Sequence, residues 1–127
     1  MRIIRGGRAG QPATRRTETF TGTVWGDSVL PTTDGVLINS VSFSPGARTY
    51  WHSHDGGQVL IVTSGAGKVF DREGNGGDIS TGDVVFIEPG VEHWHGAAAD
   101  SPMVHLAISL QGHDWLEEVS DEDYEAK

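Results

Sequence analysis

The chain contains no cysteine, which excludes disulfides and thiolate metal sites. Any metal would have to be held by His, Asn or Gln, carboxylate or water. No run of about 18 apolar residues is present, so no membrane-spanning helix is expected. No apolar stretch follows the basic residues at the start, as a secretory signal would require. The reading is a soluble, cytoplasmic protein with no membrane partner. Positive charge is also scarce: 9 Lys and Arg stand against 18 Asp and Glu, a net charge of −9 over 127 residues. The basic residues cluster, with Arg2, Arg5, Arg8, Arg15 and Arg16 at one end, while Glu117, Glu118, Asp121, Glu122, Asp123 and Glu125 crowd the other. Without interleaved aromatics, and in an acidic chain, the basic arm does not make a nucleic-acid footprint. It reads as a solvated segment that pairs with the acidic tail or with a neighbouring subunit.

Glycine, by contrast, is abundant at 18 residues, which favours short strands and tight turns. Residues 1–17 are polar and Arg-rich and read as a flexible arm. Residues 18–127 read as one domain. Segments 20–25, 36–44, 48–54, 58–63, 67–71, 83–88, 93–97 and 103–110 are short, β-branched or aromatic, and read as strands. Gly, Pro, Asp and Asn clusters separate them. This pattern predicts an all-β sandwich or barrel. Segments 114–119 and 120–126 read as short helical pieces in an acidic C-terminal tail, with Ser120 as an N-cap.

The six histidines carry most of the functional information. His52-Ser-His54 and His93-Trp-His95 lie in strand-like segments, where alternate side chains share a face. Imidazole is both the commonest metal ligand and the side chain that titrates near neutrality. The cluster is therefore a metal site, an acid–base site, or both. Gly46, His52, His54, Gln58 and Gly65 form the pattern G-x5-H-x-H-x3-Q-x6-G, and Gly82, Gly90 and His93 form G-x7-G-x2-H. Ligands from separate strands would converge inside a small barrel.

These two stretches resemble the two sequence motifs of the cupins, over about residues 36–110. The resemblance implies a double-stranded β-helix, or jelly-roll barrel, with a short C-terminal helical tail. Gln58 stands where the family pattern has Glu, and Glu88 where it has Pro. The segments PGARTYWHSH, GQVLIVTSGAGKV, GDVVFIEPGVEHWHGA and MVHLAISL further resemble small bacterial cupins that include manganese-dependent hydroxynitrile lyases. That resemblance implies His52, His54, Gln58 and His93 as metal ligands, and His95 and His105 as cavity histidines able to act in catalysis. It implies Mn2+, although imidazole also suits Fe2+, Zn2+ and Ni2+, which bind more tightly in general. A small-molecule substrate and a homodimer or homotetramer paired by sheet edges are the implied partners.

Each residue keeps an alternative at this point. Gln58 could merely hydrogen-bond a ligand histidine; if it binds, all four protein ligands are neutral and the ion keeps its full charge as a Lewis acid. His95 and His105 could orient a ligand rather than move protons. His105 shares a strand face with Ala107 and Ser109, as a pocket wall would. Asn39, Val41 and Ser109 fall at pocket positions, and Tyr50 shares the parity of His52 and His54. His113 reads as a surface residue, Trp25 and Trp115 as core or interface aromatics, and Arg48 as a partner in a surface ion pair. The functional expectation is a metal-dependent lyase that cleaves or forms cyanohydrins. A metal-dependent dioxygenase and a non-enzymatic small-molecule-binding barrel are the rivals.

Overall fold

The computed structural model describes residues 1–5 and 13–127. The flexible-arm expectation for residues 6–12, Arg8 included, lies outside the described residues. The strands are β1 (Thr14–Arg16), β2 (Phe20–Thr21), β3 (Val24–Thr33), β4 (Val36–Phe43), β5 (Arg48–Thr49), β6 (His52–His54), β7 (Gln58–Asp71), β8 (Gly76–Ser80), β9 (Val84–Ile87), β10 (His93–Ala97), β11 (Met103–Leu110) and β12 (His113–Trp115), followed by one helix, α1 (Asp121–Glu125). All strand pairs are antiparallel. The architecture is the expected all-β barrel with a short C-terminal helix. Among the described residues no helix is long and apolar enough to cross a membrane.

The barrel consists of two sheets that share one strand. The first runs β1-β3-β4-β11-β7, with β9 on the far side of β7. The second runs β2-β5-β10-β7, with β8 on β7, β6 on β10 and β12 on β6. Residues 58–65 of β7 pair with β11, and residues 67–71 pair with β10. The expected break at Ser64-Gly65 is therefore a corner within one continuous strand. Gly65 has φ 79°, and any Cβ there would collide with the Pro102 carbonyl, so only glycine turns this corner without strain. Likewise β3 continues through Pro31, which falls in the irregular stretch between Leu30 and Thr33 where the register to β4 shifts. A proline there costs no regular ladder bond. The hairpin is closed instead by Asp34 and Gly35, both at positive φ (49° and 82°), as a two-residue turn between strands requires.

Alternation places the site. Along β11, Met103, His105, Ala107 and Ser109 are buried, while Val104, Leu106, Ile108 and Leu110 are only half-buried. Leu60 and Val62 of β7, Phe43 of β4, Val24 of β3 and Met103 pack one end of the interior. The histidines adjoin this group, with Phe43 against His95 and His105. A second cluster lies outside the barrel, where Trp51, Trp94, Val119 and Tyr124 pack together with Phe70.

Three expectations are corrected. Thr14–Arg16, assigned to the arm, form β1 against residues 24–26 of β3. Segment 114–119 is not helical: His113–Trp115 pair as β12 with β6, His113 opposite His54 and Trp115 opposite His52. Six residues without an apolar helical stripe gain more from the open edge of β6 than from an isolated helical turn. Arg48 forms the expected ion pair, with exposed Asp121, but from a buried side chain rather than at the surface. It donates to the Val119 carbonyl from Nε (3.2 Å) and Nη2 (2.9 Å), reaches Asp121 at 2.6 Å, and stacks over the Tyr124 ring. Its role is to dock the tail, not to meet a ligand. The N-cap expectation agrees with the structure, with the Asp123 amide donating to Ser120 Oγ at 3.0 Å.

Candidate metal centre

β6 and β10 are paired with His52 opposite His93, and the inward face of each strand carries two imidazoles. Ring centroids of His52 lie 4.3 Å from His93, 5.1 Å from His54 and 5.1 Å from His95. Ligand atoms of His52, His93 and His95 all fall within 4.8 Å of one another. Gln58 opens β7, directly opposite Ser109 of β11. His54 lies beside this group, 5.9 Å from His93 between ring centroids. The structure thus brings His52, His54, Gln58, His93 and His95 together on three strands. The tight trio contains His95 in place of His54.

Proton bookkeeping shows what the cluster needs. His52 Nδ1 and His93 Nδ1 each lie 2.9 Å from a backbone carbonyl, of Tyr50 and Val91 respectively. A carbonyl only accepts, so both Nδ1 atoms carry the proton and both Nε2 atoms present a lone pair inward. His93 Nε2 then lies 3.0 Å from Gln58 Oε1, while Gln58 Nε2 donates to Ser109 Oγ at 3.0 Å. Two acceptors face each other with no proton between them, a repulsive arrangement unless a cation sits against both. Ligands about 2.1 Å from one ion and at right angles to each other are about 3 Å apart, so this spacing suits a shared ion. His54 is buried, yet neither of its ring nitrogens has a hydrogen-bond partner, which is costly unless something else binds it. The residues therefore fit a divalent metal with neutral N and O donors.

Burial dominates the electrostatics, as it disfavours the charged imidazolium. It holds His52 and His95 well below the ordinary histidine value, helped by the neighbouring histidines. His54 is pushed down to about 4 by burial, then by His93 and His113. His93 is lowered by burial. Burial also takes His105 to about 4. The imidazoles are neutral at physiological pH, the form that binds metal or accepts a proton.

His95 and His105 form a separate pair. Their Nδ1 and Nε2 atoms are 2.9 Å apart, so a proton sits between them, leaving His95 Nε2 and His105 Nδ1 without partners. His95 lines the cavity at this site; His105, fully buried, stands behind it and packs on Phe43. His105 therefore reaches the cavity only through His95.

The cavity encloses about 530 Å³, and Asn39, Val41 and Ser109 line it, together with His52, His54 and Gln58. Tyr50 does not line it. The chain leaves the strand at Tyr50 and bends at Trp51 between β5 and β6, which breaks the two-residue parity, and Tyr50 acts through its carbonyl on His52. Other wall residues were not foreseen. Trp115 stacks on His52 at 4.6 Å and meets Phe20 at 5.8 Å. His113 lies 6.2 Å from His54. The alternation of His113 and Trp115 was a readable strand signal. The Thr14–Phe20 segment, which closes one side of the cavity, has no apolar pattern to reveal it.

Comparison with known proteins agrees with this geometry. A family model described as a cupin domain matches residues 39–109. A protein of Granulicella tundricola named (R)-mandelonitrile lyase is 50% identical over 111 residues, covering 83% of this chain and 85% of its own. A cupin-like protein of Thermotoga maritima superposes with a TM-score of 0.86 at 40% identity, covering 91% of this chain and 93% of its own. A polyketide cyclase of Streptomyces resistomycificus shares the fold, with a TM-score of 0.74 at 17% identity and coverage of 98% and 92%.

Proposed function

The chain belongs to the cupin family, and from that premise we propose that it is a metal-dependent lyase acting on cyanohydrins. One observation carries the reading: a neutral donor set of imidazoles and Gln58 shares its cavity with His95, whose inner nitrogen is bonded to a second, hidden imidazole. The relative named (R)-mandelonitrile lyase supports the same chemistry. His52, His54, Gln58 and His93 would hold the ion, with Mn2+ the proposed occupant. The bound ion supplies Lewis acidity, polarising an oxygen donor and lowering the pKa of a hydroxyl.

The residues do the rest. With His95 Nδ1–H donating to His105 Nε2, His95 Nε2 keeps its lone pair and takes the hydroxyl proton of the cyanohydrin as general base. As the C–C bond breaks, its electron pair leaves with the nitrile carbon, and the remaining fragment becomes an aldehyde. The proton then passes from His95 to cyanide, so that the products are aldehyde and HCN. His105 holds His95 Nδ1 and so fixes which nitrogen faces the cavity. Phe20, Leu37 and Trp115 give the cavity an apolar end, where the organic part of a substrate is kept from water.

The His105→Ala variant tests the proton path. It should keep its metal content and lose mandelonitrile cleavage by about 10-fold or more, since His105 acts through His95. A variant that cleaves at the wild-type rate contradicts this reading.

A further inference from the structure

We infer that Ser109 is a positioning residue for metal binding, acting through Gln58; the inference rests on the metal-site reading above. Gln58 has a neutral amide, and only its oxygen can ligate a cation. Nothing intrinsic to the side chain decides whether oxygen or nitrogen points inward. In this chain the choice is made across the β7–β11 ladder. Gln58 and Ser109 are direct cross-strand partners, and both are buried. Gln58 Nε2 donates to Ser109 Oγ at 3.0 Å, which turns Oε1 toward His93 Nε2, also at 3.0 Å. The reversed amide would donate to His93 Nε2 and cap the lone pair that the ion needs. A carboxylate at position 58 would need no such selection, because both of its oxygens ligate equally. Ser109 is thus specific to a site built on glutamine. Its hydroxyl proton remains free to meet a molecule in the cavity that Ser109 lines.

Calorimetric titration of metal-depleted protein with MnCl2 tests this, with the thermal midpoint of each metal-free protein as a control for folding. Ser109→Ala should weaken Mn2+ binding by roughly 10-fold or more, the range expected when the hydrogen-bond partner of a ligand is lost. Ser109→Thr, which keeps the hydroxyl, should bind as the wild type does. In a Gln58→Glu background the same Ser109→Ala change should cost at most about 3-fold, a coupling that a purely structural role would not produce. Wild-type affinity in Ser109→Ala overturns the inference, as does an equal loss in both backgrounds. Failure of the wild type itself to bind Mn2+ or any other divalent ion would instead overturn the metal-site reading.

Discussion

His54 and His95 divide the chemistry between them, although both are inward imidazoles two residues from another histidine. His54 has neither ring nitrogen bonded, so a bound metal would account for its burial. His95 is already bonded to His105 through Nδ1. The account predicts that His54→Ala loses Mn2+ affinity by at least about 10-fold, measured by titration. His95→Ala should still carry its metal, measured by elemental analysis, while mandelonitrile turnover falls. Loss of metal from His95→Ala would make it a ligand, as its closeness to His52 and His93 allows. At this scale Gln58 as a ligand was implied by the resemblance to cupins, whereas the two His-x-His pairs were legible, because strand parity puts each pair on one face. The shielding of His105 behind His95 was not, since it depends on how β11 packs against β10. Nor was the loss of Tyr50 from the wall, which follows from the bend at Trp51.

Among the elements, the tail departs furthest from its sequence pattern. Its acids suggested a solvated helix, but β12 completes the sheet beside His52 and His54, and the chain beyond it is clamped. Arg72 donates to Glu117 at 2.8 and 3.0 Å and to Glu92 at 2.9 Å, and its guanidinium lies 4.0 Å above the Trp51 ring. Hydrogen bonding to Arg72 holds the Glu117 carboxyl down at about 2, against an ordinary 4.5. A depressed carboxylate adds stability that is present above its unfolded value and is lost as pH falls toward the folded one. Glu117→Gln should therefore melt below the wild type at pH 7, and the gap should close between about pH 4.5 and 2; this exposed pair makes the gap small. A gap of unchanged size at pH 2 would contradict the clamp. β8 escaped the sequence reading for a related reason: Gly76 and Gly77 signal a turn, and Ile79 is the one buried residue of the strand.

For the whole molecule, the barrel was legible in the number and spacing of strands, but its outer surface was not. Phe86, Val59, Ile108, Ile38 and Leu30 are cross-strand neighbours in one row over five strands. Val84, Ile61 and Leu106 form a parallel row, and Val84 and Phe86 are 64% and 62% exposed. With strands about 4.8 Å apart and the two rows one pleat repeat apart, this face covers roughly 300 Å². Two copies packed face to face would bury about 600 Å² through this patch alone, so a stable interface would have to extend beyond it. A chain of net charge −9 can meet its own copy best where it carries no charge at the centre. The expected outcome is a homodimer whose interface includes this face, with Phe86→Glu/Leu106→Glu monomeric by light scattering. A wild-type monomer, or a double variant that still dimerises, would contradict it. The central claim, that cyanohydrin chemistry depends on an ion held by His52, His54, Gln58 and His93, is tested most directly by one titration. The rate of benzaldehyde formation from mandelonitrile is followed as Mn2+ is restored to metal-depleted protein, with bound metal measured at each point. The account predicts a rate that starts near zero and rises in proportion to bound metal up to one ion per chain. Turnover in the metal-free protein, or one ion per chain with no turnover, would contradict it.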